Sequence, residues 1–396
     1  MTVCDTCAFE PSGAATRLGP VTASPAPVSV SMTVEQLWQP VPGGSGTYIR
    51  RLAEHLAARD DVRLTGVRAR GTLEDRRGLP SSMPLVASSL PRRALYASWN
   101  SLRAPRVPGP PTDVIHATTW AVPPRSAPLV VTVHDVAFRR NSSHFTPHGV
   151  RYFEKALQVV RREADLVIVP SVATRDDCVE AGLSPERLRV VPHGTSAAPV
   201  TEDEVTAWRA AHGVHRDFVL WCGTFEPRKN VGALLAAFST MLGEGTDLDL
   251  VLIGPTGWGG TSAEVRAVVD RLPADRVHLL GKVPEQALQV AYRTAAAFCF
   301  PSLWEGFGMP VLEAMAHGTP VVTSEGTSMA EVSGAGALLV DPTSPDALAD
   351  AIRRAAGPEH DLLAAAALEN ASTYTWARAA DLTVAAYRDA ASGAGR

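Results

Sequence analysis

The alternation of short apolar runs with amphipathic segments is the feature that most constrains the fold of this 396-residue chain. Short apolar runs bounded by turn residues are typical of buried strands, and apolar residues at helical spacing indicate helices between them. Strands that alternate with helices predict an α/β fold with parallel, doubly wound sheets. The predicted strands are 28–34, 62–67, 113–116, 129–133, 165–169, 188–191, 218–222, 248–253, 276–280, 295–300, 320–323 and 337–340.

The alternation occurs twice, and a polar run that follows Pro192 and extends to Glu204 separates the two halves. We therefore predict an N-terminal domain and a C-terminal domain, with a disordered Ser-, Ala- and Pro-rich tail before them and a helical segment after them. Ligands bind beyond the carboxyl ends of the strands in such sheets, so residues that follow strands are candidates for a site. The predicted bounds are 1–27 for the tail, 28–198 and 199–374 for the domains, and 375–396 for the final segment.

The stretch 300–318, which reads FPSLWEGFGMPVLEAMAHG, carries the strongest site signal. It joins the end of a strand to a helix through a tight loop made of Gly306, Phe307 and Gly308. Pro310 stands where a first helical position is expected, because proline fits the first turn of a helix. The chain backbone therefore enters this helix directly from the carboxyl end of a strand.

The start of that helix predicts an anion site with a carboxylate on either side. The backbone N–H groups of Val311 and Leu312 are expected to be free and to face a phosphate. Glu305 and Glu313 flank this position and would accept hydrogen bonds from hydroxyl groups. A phosphate between two sets of sugar hydroxyls describes a nucleotide sugar. The alternative is an ordinary strand–loop–helix unit with two exposed acids.

A glycine cluster, Gly43, Gly44 and Gly46, follows the first predicted strand and precedes a helix. This placement predicts a backbone that approaches a phosphate closely. The cluster lacks the third glycine of the dinucleotide fingerprint and the Gly-Lys-Ser/Thr of a P-loop. A plain tight turn remains the alternative.

Two cations, Arg228 and Lys229, stand immediately before a helix in the second half of the chain. Positive charge at a helix N-terminus opposes the macrodipole, so local stability disfavours it there. A bound diphosphate would reverse that cost. We expect Lys229 to be exposed at the helix start, and to contribute to binding rather than to the fold.

Two histidines stand at the carboxyl ends of predicted strands, where ligands bind. His134 follows the strand 129–133, and His116 ends the strand 113–116 ahead of Trp120. Either histidine can also be a core residue that caps a strand.

Together and in this order, these features resemble the retaining glycosyltransferases of GT-B architecture in family 4, also called glycosyltransferase group 1. The resemblance implies two facing Rossmann-like domains, with the acceptor on the first, the donor on the second, and the last helix crossing back to the first. Thr224 departs from the pattern, because many members carry an arginine there. The resemblance implies catalytic roles for His134, Arg228, Lys229 and Glu305, donor contacts from Gly43, Gly44, Gly46, Lys282, Val283, Gly306, Phe307, Gly308, Val311, Leu312 and Glu313, and acceptor contacts from His116 and Trp120.

The resemblance also implies the reaction. A hexose moves from a nucleotide-diphosphate sugar to a saccharide or lipid-linked acceptor, and the sequence GTFEPRKN resembles enzymes of polysaccharide assembly that use GDP-mannose. No metal and no cofactor are expected, since fixed cations offset the charge of the leaving group. The alternative is a non-catalytic subunit that binds a nucleotide sugar for another glycosyltransferase.

Composition limits the partners and the compartment. A net charge of −4 argues against a nucleic-acid binder. No apolar run approaches the ~18 residues of a membrane span, and no signal peptide is evident, so a cytoplasmic protein is expected. The segment 90–106, with Tyr96 and Trp99 between arginines, has two interpretations. It is either an interfacial helix at the inner membrane face, or an ordinary helix with Leu95, Trp99 and Leu102 in the core.

Overall fold

The computed structural model of this protein describes residues 26–71, 74–257 and 261–393. Most of the predicted N-terminal tail and the last three residues of the predicted C-terminal segment lie outside the described residues. The strands in the described ranges are β1 (Val28–Thr33), β2 (Val62–Arg68), β3 (Leu85–Ala87), β4 (Val114–Ala117), β5 (Leu129–Thr132), β6 (Leu166–Val169), β7 (Leu188–Val190), β8 (Phe218–Cys222), β9 (Asp249–Ile253), β10 (Val277–Gly281), β11 (Ala297–Phe300), β12 (Val321–Ser324) and β13 (Ala337–Val340).

Helices connect these strands, and several begin at the side-chain caps that their sequences predict. Ser171 and Ser344 each accept a hydrogen bond from a backbone N–H group in the first turn of the helix that follows them. The α-helices are α1 (Gly43–Ala57), α2 (Arg92–Leu102), α3 (Ala137–Arg140), α4 (Pro147–Glu163), α5 (Val172–Glu180), α6 (Glu202–His212), α7 (Val231–Gly243), α8 (Thr261–Val269), α9 (Glu285–Thr294), α10 (Met309–Ala316), α11 (Ser328–Ser333), α12 (Pro345–Ala355), α13 (His360–Ser372) and α14 (Trp376–Ser392). Short 3₁₀ segments cover Glu35–Trp38, Ser142–His144, Pro185–Arg187 and Pro227–Lys229.

The described strands form two parallel sheets, which confirms the predicted α/β class. The first sheet has the order β3-β2-β1-β4-β5-β6-β7, and the second has the order β10-β9-β8-β11-β12-β13. In each sheet the chain first adds strands on one side and then on the other. The direction changes between β1 and β4 in the first sheet and between β8 and β11 in the second. These two switch points are where a doubly wound sheet opens a crevice for a ligand.

The strands are apolar because helices cover both faces of each sheet. Every residue of β5, β6 and β11 is buried. One large apolar core surrounds the second sheet, and two smaller cores lie on the faces of the first. At roughly 25 cal/mol for each Å² of apolar surface buried, these cores supply most of the free energy of folding.

The last helix packs against the first domain, although it follows the second in sequence. α14 contacts α1 and the strands β4, β5 and β6. Its buried residues Trp376, Val384 and Tyr387 belong to the same core as α1 and β1. Ion pairs between Arg59 and Asp381 and between Arg388 and Asp61 join the exposed rim of this contact.

Three local predictions were wrong. The glycine cluster forms the first turn of α1 rather than a separate loop before it. Leu102 is 76% exposed at the end of α2, while Leu95 and Trp99 are buried as in the ordinary-helix interpretation. The polar run that was interpreted as a linker up to Glu204 already includes the start of α6, where Thr201 and Glu204 form a capping box.

Candidate active site

A cavity of about 470 Å³ lies between the carboxyl ends of the two sheets. Residues that follow β1, β5 and β7 line one side, and residues that follow β8, β9, β10 and β11 line the other. The predicted site residues that line it are Gly43, Gly44, His134, Arg228, Lys229, Lys282, Glu305, Gly306, Phe307, Gly308 and Glu313.

Glu305 binds both predicted cations in the wall of this cavity. Its Oε1 lies 2.5 Å from Nζ of Lys229, and its Oε2 lies 2.7 Å from Nη1 of Arg228. The Ser302 hydroxyl donates a further hydrogen bond to Oε1 at 2.7 Å. Burial alone would raise the pKa of Glu305, but the two cations outweigh burial and lower the pKa to about 2. Glu305 is therefore ionised at neutral pH.

The expectation that Lys229 is exposed was wrong. The residue is 8% exposed, because the 3₁₀ turn before α7 directs it inward onto Glu305. Arg228 is held by a second carboxylate as well, since its Nε lies 3.0 Å from Oε2 of Glu226. Burial raises the pKa of Glu226, so this second carboxylate holds its proton more readily than an exposed one. The carboxylates thus hold Arg228 and Lys229 in the wall of the cavity, and burial lowers the pKa of the Lys229 ammonium.

The N–H groups of Val311 and Leu312 are not free, which corrects a second prediction. Gly308, at φ +85°, turns the chain into α10 earlier than predicted. The carbonyl of Gly308 accepts hydrogen bonds from Val311 at 3.0 Å and from Leu312 at 3.4 Å. Both side chains point into the core, and the helix start reaches the cavity through Gly308, Met309 and Pro310 instead.

Glu313 lies on the other side of that helix start. Its Oε2 accepts a hydrogen bond from the Tyr292 hydroxyl at 3.0 Å. Burial raises the pKa of Glu313 to about 7, and the Tyr292 hydrogen bond only partly opposes that shift. The two glutamates therefore differ in pKa, because Arg228 and Lys229 contact Glu305 directly, whereas burial outweighs the weaker effect of Arg51 on Glu313.

His134 lies at the cavity on the first-domain side. Its Nε2–H donates to the carbonyl of Thr118 at 3.1 Å, which leaves Nδ1 as an acceptor. Burial lowers the pKa of His134, although Asp135 acts in the opposite direction. A neutral imidazole in this position can accept a hydrogen bond or orient a ligand.

His116 and Trp120 do not line the cavity. His116 is fully buried and hydrogen-bonded to Tyr387 and Thr132, so it is a core residue. Trp120 packs against Phe138 and Phe153 in a core on one face of the first sheet. The position of His116 at a strand end did not reveal that its ring points under the sheet.

Gly46 and Val283 also lie outside the cavity lining among the described residues. Gly46 is buried in the first turn of α1, where a side chain would meet Pro42. Val283 packs against the core of the second domain. The neighbouring Lys282 does line the cavity.

The loop after β11 crosses the cleft and touches the first domain. The Gly306 carbonyl accepts hydrogen bonds from the Ser171 hydroxyl at 2.6 Å and from the Thr174 hydroxyl at 3.0 Å. A Cβ atom on Gly306 would lie 1.8 Å from the carbonyl oxygen of His134. Only glycine permits this approach, which brings Glu305 and His134 to one cavity.

Several residues that complete the site were not predicted from the sequence. Ser302, Glu226 and Tyr292 contact the predicted residues directly. His193 follows β7 and lines the cavity, and its position at a strand end was a usable signal. Tyr292 left no such signal, because it reaches Glu313 from the last turn of α9 rather than from the end of a strand.

Within the described ranges, no group of three or more His, Cys, Asp or Glu side chains is placed to hold a metal ion. Nor does any described helix combine the length and the apolar character that a membrane span requires.

Comparison with known proteins gives two family matches and close fold neighbours. Residues 42–198 match the profile described as Glycosyltransferase Family 4, and residues 216–357 match that described as Glycosyl transferases group 1. The D-inositol 3-phosphate glycosyltransferase of Acidothermus cellulolyticus is 30% identical over 88% of this chain and 86% of its own. The O-antigen chain mannosyltransferase B of Escherichia coli is 29% identical over 69% of this chain and 74% of its own. Among solved structures, HepE of Anabaena in complex with UDP-glucose has a TM-score of 0.70 at 20% identity, covering 90% of this chain and 99% of HepE.

Proposed function

Because the chain belongs to the family 4, group 1 glycosyltransferases with the GT-B fold, we propose that it is a retaining hexosyltransferase. The donor is a nucleotide-diphosphate sugar, with GDP-mannose favoured. The acceptor is a saccharide or a lipid-linked saccharide. The observation that carries this proposal is the buried cluster of Arg228, Lys229 and Glu305 in the wall of a cleft large enough for such a donor.

The cation cluster supports a diphosphate leaving group. Arg228 and Lys229 bind the phosphates and offset the charge that builds as the bond from the sugar C1 to the phosphate oxygen breaks. The acceptor hydroxyl oxygen forms its new bond to C1 on the same face. Its proton passes to the departing phosphate oxygen, so that charge balances. The configuration at C1 is retained because the new bond forms on the face that the phosphate leaves.

The remaining residues hold the two sugars of the donor. Glu305 accepts hydrogen bonds from hydroxyls of the transferred hexose while it keeps the two cations in place. Glu313 accepts hydrogen bonds from the ribose. His134, through its free Nδ1, positions the hexose or the acceptor. No metal is needed in this mechanism, and EDTA is expected to leave activity intact.

The preference for mannose rests on relatives. Escherichia coli O-antigen chain mannosyltransferase B is a mannosyltransferase by name, while HepE, which shares only the fold, was solved with UDP-glucose. A screen of the purified protein against UDP-, GDP- and dTDP-sugars tests the donor directly. Turnover of GDP-mannose above the other donors is expected, and NMR of the product anomer tests retention.

The same screen distinguishes the non-catalytic alternative. Binding of a nucleotide sugar by calorimetry, without hydrolysis or transfer to any saccharide acceptor, would favour a partner subunit over an enzyme. Inversion of the anomeric centre would contradict the retaining mechanism but not glycosyl transfer.

We also propose that a lipid-linked acceptor is reached through the α2 face of the first domain. Arg93 and Leu102 are exposed there, whereas Arg92 and Arg103 are held by hydrogen bonds within the protein. Flotation with anionic liposomes at low salt tests this contact. Binding that is lost in Arg93→Glu supports it, and absence of binding by the natural chain contradicts it.

A further inference from the structure

A chain of buried hydrogen bonds runs from the last helix to the edge of the cavity. The Tyr387 hydroxyl on α14 lies 2.7 Å from Nδ1 of His116, and Nε2 of His116 lies 2.8 Å from Oγ1 of Thr132. The Thr132 hydroxyl lies 2.9 Å from the hydroxyl of Tyr48 on α1. All four side chains are at most 1% exposed. We call this set the buried relay.

The buried relay is a single unit rather than three independent bonds. Burial lowers the pKa of His116 to about 3, so its ring is neutral and carries one N–H. One ring nitrogen therefore donates while the other accepts, so the directions of the hydrogen bonds to Tyr387 and Thr132 depend on each other. Removal of the Tyr387 hydroxyl at one end leaves a buried polar atom unpaired and disturbs the chain up to Tyr48.

The ring of Tyr48 connects the buried relay to two histidines that line the cavity. It meets the ring of His134 edge-on at 5.0 Å and the ring of His193 at 4.7 Å. In the described part of the chain, the one hydrogen bond of the His134 ring goes to the carbonyl of Thr118, and that bond fixes only one end of the ring. Contact with the Tyr48 ring limits the remaining rotation.

The last helix also contacts the ring of His193, at the N-terminal end of the helix. Trp376, the first residue of α14, stacks on His193 with centroids 6.0 Å apart and planes at 17°. Trp376 and Tyr387 stand about three turns apart, so they lie on one face of the helix. Docking of that face therefore constrains His193 directly through Trp376, and His134 through Tyr48.

We propose that Tyr48 is a positioning residue, held by the buried relay, through which the docking of α14 sets the orientation of His134 at the cavity. The inference rests on the proposed function, because it assumes that His134 contacts the transferred sugar or the acceptor. It adds that an element outside the cleft, at the end of the chain, sets the geometry of the reaction.

The test compares Tyr48→Phe, Tyr387→Phe and the double variant, each of which keeps the aromatic ring. If the relay acts as one unit, each single variant lowers kcat by roughly 5- to 20-fold with the donor KM changed less than about 2-fold. The double variant is then no slower than the slower single one, since both break the same chain. The matched control is Thr383→Val, which removes a buried hydroxyl of the same helix that donates only within it, to the Ala379 carbonyl.

A second readout does not depend on turnover. Histidine ring NMR, with the His134 signals identified by their loss in His134→Gln, should show these signals shifted in Tyr387→Phe and unchanged in Thr383→Val. Unchanged His134 signals in Tyr387→Phe, or rate effects that simply multiply in the double variant, would overturn the proposal.

One outcome separates this proposal from the function on which it rests. A natural chain that turns over no sugar nucleotide contradicts the proposed function, and the NMR comparison then decides the role of Tyr48 alone. If Tyr48→Phe does not fold, Thr132→Ser and Thr132→Val replace it. Thr132→Ser keeps the hydroxyl and should behave as the natural chain, while Thr132→Val should reproduce the effect of Tyr387→Phe.

Discussion

Lys229 shows how one residue can serve both the fold and the site. Its ammonium lies on the ionised Glu305 in a position that is only 8% exposed. Lys229→Ala is therefore expected to lower kcat by about 30- to 1000-fold, through loss of one charged contact to the leaving group. It should also lower the free energy of unfolding by roughly 1.5–3 kcal/mol, because a buried carboxylate loses a charged partner while Arg228 remains. Steady-state kinetics and urea unfolding measure the two effects.

Lys155 provides the matched control. It is exposed, and within the described ranges its ammonium donates to the Ser101 hydroxyl alone. Lys155→Ala should therefore leave kcat close to that of the natural chain and change the free energy of unfolding by less than about 0.5 kcal/mol. Near-normal turnover of the true donor by Lys229→Ala would remove Lys229 from the mechanism. A stability unchanged from the natural chain would show that the ion pair contributes nothing.

Glu313 gives the site a pH dependence with a defined sign. Its folded pKa of about 7 lies above the ordinary value of 4.5, so folding favours the protonated form. Its contribution to stability is complete below about pH 4.5 and is lost as the pH rises to about 7. If the carboxylate accepts ribose hydroxyls, the donor KM should fall as the pH rises from about 6 to about 8. Steady-state kinetics across this pH range measures the change in the donor KM.

Glu313→Gln should remove that pH dependence of KM and raise KM about 10-fold at pH 8, with a smaller change in kcat. The difference in unfolding free energy between the two proteins isolates Glu313 from other titrating groups. Glu305→Gln is the contrast, since it should lower kcat. A pH profile of KM that is identical in the natural chain and Glu313→Gln would show that this carboxylate does not bind the donor.

Residue types and spacing were enough to bring Arg228, Lys229, Glu305 and Glu313 to the site, but not to predict their contacts. Lys229 and Glu305 are far apart in sequence and meet because β8 and β11 are neighbours in the sheet. His116 was predicted at the site but lies in the core, since a position at a strand end does not tell on which face of the sheet the ring lies. Strand order and side-chain direction are properties of the assembled sheet.

At the scale of elements, the loop between β11 and α10 closes the cleft. Its residue Gly306 has no room for a side chain, because a Cβ atom would lie 1.8 Å from the His134 carbonyl oxygen and 3.1 Å from Cβ of Asp135. Backbone atoms cannot move aside without separating the domains. Gly306→Ala is therefore expected to lower kcat/KM by at least about 100-fold, since a displacement of about 1 Å can cost that much. Each domain should keep its fold by circular dichroism.

Gly232 in the first turn of α7 is the matched control for this substitution. A Cβ atom there meets nothing within 4 Å, so Gly232→Ala should leave activity intact and stabilise the helix by up to about 1 kcal/mol. Equal loss of activity in both variants would mean that the close approach of Gly306 is unimportant. Small-angle scattering should show a wider cleft in Gly306→Ala alone.

Elements were predictable where pattern and length agreed. The strands β8 and β13 have the predicted bounds, because each is an apolar run between clear turn residues. β3 was missed because it is three residues long in a proline-rich stretch. The helix α10 starts earlier than predicted because Gly308 adopts a left-handed φ, which no periodicity reports. The backbone conformation of Gly308 thus set the start of α10, which the side-chain pattern did not determine.

At the scale of the whole molecule, the chain passes between the domains twice at nearly the same place. Thr195 on the first crossing donates its N–H to the carbonyl of Tyr374 on the second, at 3.0 Å. Gly194 packs so closely against Trp376 that a Cβ atom would lie 2.2 Å from its backbone nitrogen. α14 then completes the core of the first domain, so that domain depends on the end of the chain for its stability.

This dependence makes Trp376 a residue whose loss unfolds the first domain selectively. Trp376 is 4% exposed in the first-domain core, and Trp208 is 5% exposed in the second-domain core. Truncation of either to alanine should cost about 3–5 kcal/mol. In Trp376→Ala, hydrogen exchange should accelerate across β4, β5 and β6, and urea should unfold the first domain ahead of the second. In Trp208→Ala the faster exchange should appear around β8 instead. If Trp376→Ala leaves exchange in the first sheet unchanged, or if both variants give the same exchange map, then α14 does not stabilise the first domain.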